Sequence, residues 1–111
     1  AAATNYSAPF TSLLETSAAN GSVDIQVAGS LSNVVVRLNG TPNNGGGTQQ
    51  YTFSVFKNNS TTGSNCVIAE NANSCTIAGP ISFVATDTIS LESVPSGTPV
   101  ARNVRWTAKY Q

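Results

Sequence analysis

Apolar and polar residues alternate with period two along most of this chain. Val23, Ile25 and Val27 alternate with Asp24 and Gln26, and Tyr51, Phe53 and Val55 alternate with Thr52 and Ser54. Ile81 and Phe83 flank Ser82; Ile89 and Leu91 flank Ser90. The last run sets Val104, Trp106, Ala108 and Tyr110 on one face and Arg105, Thr107 and Lys109 on the other. Successive side chains of a strand point to opposite faces, so each run predicts a strand with one buried and one wet face. Leu31–Leu38 holds three adjacent valines, which predicts a strand covered on both faces. Strands are expected near 10–15, 22–28, 32–39, 50–57, 65–70, 74–78, 81–85, 87–94 and 101–110, which makes eight or nine.

Turn chemistry separates these runs. Asn20-Gly21 and Asn39-Gly40 are turn dipeptides, and Pro42–Gly47 reads as a flexible loop. Asn58–Asn65 has almost no apolar content and reads as a polar loop, while Ala78-Gly79-Pro80 and Pro95–Pro99 break the C-terminal half. No connection is long enough for a crossover helix, so the strands pack antiparallel. The fold class is all-β, an antiparallel β-sandwich. One domain over 21–111 follows an N-terminal arm or first strand over 1–20, with no internal repeat and no linker.

Composition narrows the function. The 111 residues suffice for one core. Only 9% are charged and the formal net charge is zero, so no cationic excess exists for nucleic acid or an anionic membrane. No apolar run approaches the ~20 residues of a spanning helix. The chain contains no Met, and its small uncharged start, Ala1–Asn5, has the character of an end left by signal peptidase or of a trimmed terminus. Cys66 and Cys75 bracket Val67–Ser74, which reads as two strand ends around a polar turn. A disulfide closing that hairpin is the expectation, with two unrelated buried thiols as the alternative. Such a bond belongs to an oxidising compartment or an extracellular surface.

Candidate chemistry is sparse. The absence of His removes His-dependent triads and His-ligated metal sites. The acids Glu15, Asp24, Glu70, Asp87 and Glu92 offer no facing pair of the kind a glycosidase needs. Asp87 reads as a solvated turn carboxylate rather than a calcium ligand, because no Asp-rich loop surrounds it. Lys57 and Lys109 fall at expected strand ends, a poor setting for a general base. No catalytic residue, cofactor or metal is therefore expected. Trp106 beside Arg105 allows a sugar platform, but its spacing with Val104 and Ala108 favours the core. The sequons at Asn5, Asn20, Asn39, Asn58 and Asn59 matter only in a glycosylating host. Phe56 falls out of phase with Phe53 and Val55, which leaves it exposed, buried between subunits, or capping the sandwich beneath the 58–65 loop.

From Leu31 onward the chain resembles a family. Leu31–Leu38 precedes a Gly-rich loop; Tyr51–Asn58, a Cys pair, Asp87–Leu91, Pro95–Pro99 and a Trp-bearing last strand follow. This order is similar to the small jelly-roll domains of phage and bacterial surface proteins, built like tumour necrosis factor and complement globular heads. The resemblance implies a jelly-roll sandwich, a homotrimer, and attachment, receptor binding or particle decoration at a virion or cell surface. It transfers no catalytic residue. One departure stands out: members of that family often carry Gly-Asp where this chain has Thr86-Asp87. Phe56, Tyr110, Tyr6, Phe10, Leu13 and Leu14 are the expected interface residues. A glycan or cell-surface receptor is the expected external partner. The alternatives are a monomeric carbohydrate-binding module and a fibre subunit whose N-terminal arm supplies a strand to its neighbour.

Overall fold

The alternating runs form nine strands in two antiparallel sheets packed as a sandwich, in a computed structural model that describes residues 4–7 and 22–111. The five-stranded sheet places β1 (Asn5–Ser7) and β2 (Val23–Asp24) along one edge of β8 (Thr88–Ser96). β4 (Gln50–Lys57) and β5 (Ser60–Ile68) follow on the other side. The four-stranded sheet centres on β3 (Gly29–Leu38). One edge of β3 takes β6 (Ser74–Ile77) and β7 (Ile81–Phe83); the other takes β9 (Val104–Tyr110). The strand expected at 10–15, with Phe10, Leu13, Leu14 and Glu15, lies outside the described residues.

Inward rows from both sheets make the core. Val34, Val36, Phe53, Val55 and Ile68 are fully buried, with Ile89 and Leu91 close behind. A β-bulge between Ser32 and Val35, with Asn33 at φ 50°, lets both Leu31 and Val34 face inward. That phase leaves Val35 half-buried on the outer face, so the valine run is not covered on both sides as expected.

Three other expectations are corrected. The run at 22–28 yields only Val23–Asp24, and Val27 stands 70% exposed. Asn58–Asn65 is not a loop: Asn58 and Asn59 both take positive φ, the geometry of a tight type I′ hairpin, and β5 begins at Ser60. The Cys66–Cys75 disulfide does form, with Cα atoms 5.9 Å apart, but it does not close a hairpin. β5 and β6 belong to different sheets, so the bond staples the sandwich across its layers.

Candidate interaction surface

The two lateral sides of the sandwich differ. On the stapled side, β5 and β6 are tied by the disulfide. On the opposite side β2 faces β9, and among the described residues the inward side chains of β9 meet little cover. Trp106 is half-buried, while Ala108 and Tyr110 are exposed. Between these edges runs a groove of about 660 Å³. Val23, Ile25 and Ile89 form one wall; Trp106, Ala108 and Tyr110 form the other. Among the described residues, Asp24 is the only charged one that lines it. Tyr110 reaches this position because Gly29 leaves its ring room: a Cβ there would lie 2.8 Å from the ring. Its hydroxyl donates to the Val27 carbonyl.

The floor of this side is braced by the β7–β8 corner. Ile25 N–H donates to the Asp87 carbonyl (2.7 Å) and Thr86 N–H to the Ile25 carbonyl (2.8 Å). The Asp87 carboxylate accepts from Val84 N–H (2.9 Å) and Asn58 Nδ2 (2.9 Å). These two donors, with some help from the Lys57 charge, hold its pKa below the usual carboxylate value. Asp87 is thus a turn-bracing group. Thr86 sits at φ 78°, the conformation that glycine adopts freely, so a β-branched residue occupies the left-handed region.

The expected interface residues separate into two groups. Tyr6 and Phe56 meet edge to face at 5.3 Å on the outer face of the five-stranded sheet. Tyr6 also donates its hydroxyl to Glu92 Oε2 (2.9 Å). Partial burial, then that carboxylate, push the Tyr6 phenol pKa up. Phe56 is therefore half-buried against its own chain, not fully exposed, and no loop lies over it at Asn58–Asn65. Tyr110 remains 39% exposed on the open side. Phe10, Leu13 and Leu14 lie outside the described residues.

Trp106 packs against the core cluster from its edge. Lys57 places its ammonium 5.6 Å from the Phe83 ring centroid and donates to the Ser82 carbonyl (3.0 Å), which ties the two sheets together. Lys109 is exposed on the outer face of β9. Among the described residues no cluster of three or more His, Cys, Asp or Glu could hold a metal ion. The groove was not legible in the sequence, because alternation in β9 shows which side chains face inward but not whether another strand covers them. No protein-family model, curated protein or solved structure matches the chain.

Proposed function

We propose that this domain is a non-enzymatic surface module that associates with copies of itself through the open side of its sandwich. The reading is a homotrimeric attachment, receptor-binding or particle-decoration domain at a virion or bacterial surface. The observation that carries it is the apolar groove between β2 and β9, uncovered among the described residues and flanked by Val23 at 42% exposure, Val27 at 70% and Tyr110 at 39%. Such a continuous patch marks an interaction surface. A second copy suits it because the lining is almost uncharged, and charge at an interface centre would need costly pairing. The disulfide implies an oxidising environment, which supports an exported location.

Strand connectivity supports a sandwich whose chain crosses repeatedly between its layers. The chain changes sheet between β2 and β3, β3 and β4, β5 and β6, β7 and β8, and β8 and β9. Jelly-roll wrapping and the number three both come from the family resemblance. Sedimentation equilibrium tests the proposal directly. A trimer is expected for the natural chain, and folded monomers for Ala108→Glu, which puts a charge in the groove. A natural chain that sediments as a monomer at micromolar concentration overturns it.

A further inference from the structure

The net charge of zero conceals a segregation. No Asp or Glu occurs in β3, β6, β7 or β9, so the four-stranded sheet carries no acid. Its outer face instead holds Arg37, Arg105 and Lys109, three of the five cations in the chain. The described acids all lie elsewhere: Asp24 and Glu92 in the other sheet, Glu70 and Asp87 in loops.

Two of these cations are forced together. Arg37 and Arg105 are directly paired positions of β3 and β9, which sets their Cβ atoms about 5 Å apart. Both side chains are exposed, and neither guanidinium has a hydrogen-bond or ion-pair partner among the described residues. Like charges directly opposite destabilise a sheet unless something neutral or negative stands between them. Two clefts flank the pair, of about 210 and 340 Å³, and the two guanidinium residues line both. Val35, Trp106 and Thr107 complete the first; Asn39 and Asn103 contribute to the second. In register beside Arg37 and Val35 stand Ser74 and Thr76 of β6, which extend the face with hydroxyls.

We propose that this face is an oxyanion site for an acidic saccharide, whose sulfate or carboxylate group sits between the Arg37 and Arg105 side chains. Each guanidinium presents a planar fork that matches an oxyanion bidentately, and the anion removes the repulsion between the two. The amides and hydroxyls around the clefts suit the uncharged ring hydroxyls of a sugar. Nucleic acid is disfavoured because the cationic strip ends within one strand pair and the molecule as a whole is neutral. The site lies on the outer face of the sandwich, and its assignment does not depend on self-association through the groove.

The test is retention on immobilised heparin at low salt, followed by calorimetry with a sulfated heparin oligosaccharide and with an unsulfated oligogalacturonate. The natural chain should be retained although its net charge is zero. The variant R37Q/R105Q should lose at least about tenfold in affinity, the scale of losing charge-assisted hydrogen bonds. The variant K57Q/R102Q has the same net charge and should bind as the natural chain does. Preference between the two oligosaccharides assigns sulfate or carboxylate. R37K/R105K keeps the charge but loses the forks, and should recover only part of the affinity. Because R37Q/R105Q removes a repulsive pair, its melting temperature should not fall; single R105Q serves if the double variant fails to fold. Equal losses in the two double Gln variants would falsify the site. So would a natural chain that flows through the column, including one whose oligomers R37Q/R105Q dissociates, which would make the face a contact for a neighbour's carboxylates.

Discussion

The two lateral sides of this sandwich solve the same problem differently. Each must end a pair of sheets without leaving inward side chains in water. On the β5–β6 side a covalent bond crosses the layers, and Ile68 and Ile77 beside it are buried. On the β2–β9 side the wall is two residues of β2 and a braced corner, and Tyr110 and Val27 remain exposed. The contrast teaches that closure of a small sandwich can be local: one side is tied by a covalent bond, while the other, among the described residues, keeps part of its apolar surface exposed.

The sharpest way to break this contrast is to remove the staple. Cys66→Ala with Cys75→Ala should cost about 2–3 kcal/mol, the chain-entropy value for a loop of this size. Urea unfolding should show a lower midpoint with the β4–β8 pairing intact below it. The edge strand β1 should respond to its own contact on the outer face. Phe56→Ser removes the ring that Tyr6 packs against, at an expected cost of about 1–2 kcal/mol. Hydrogen exchange should then rise in β1 while protection in β5 and β6 holds. An equal rise on both sides would erase the distinction.

Smaller changes sharpen it. Thr86→Gly relieves a β-branched residue at positive φ in the corner that holds Ile25, and should raise stability by about 0.5–1 kcal/mol. Tyr110→Ser should change monomer stability by less than about 1 kcal/mol, yet weaken assembly in sedimentation. The slightest effect concerns pH. The folded pKa of Asp87 lies below its unfolded value, so its contribution is present above the ordinary carboxylate range. It is lost as pH falls through the lowered folded value. The acid limb of the stability profile should flatten in Asp87→Asn, and an unchanged limb would show that the corner does not depend on the charge.

Legibility of these features in the sequence followed the apolar signal. β4 was legible to the residue, since Tyr51, Phe53 and Val55 alternate cleanly and all three are buried. β5 was not, because its first half carries Thr62 and Ser64 on the inward phase and offers no hydrophobic period. The paired asparagines at 58 and 59 were the available turn signal. β1 is three residues long and too short to show a period. The cysteine pairing could be read from spacing, but not that the chain changes sheets between Ile68 and Ser74, because a turn within a sheet and a corner between sheets use similar residues. The arginine pair depends on β3–β9 register, which joins residues far apart in the chain.

The separation of charge between the sheets has a mechanical consequence. A neutral body with one cationic face feels no net pull in a uniform field, but it does feel a torque. Near an anionic surface such a molecule turns before it binds, and turns the same way each time. The four-stranded sheet would arrive first, with Arg37, Arg105 and Lys109 leading and the Tyr6–Phe56 face pointing away. The groove, which opens between the sheets, would then lie side-on to the surface, where neighbouring copies aligned by the same torque could meet it edge to edge.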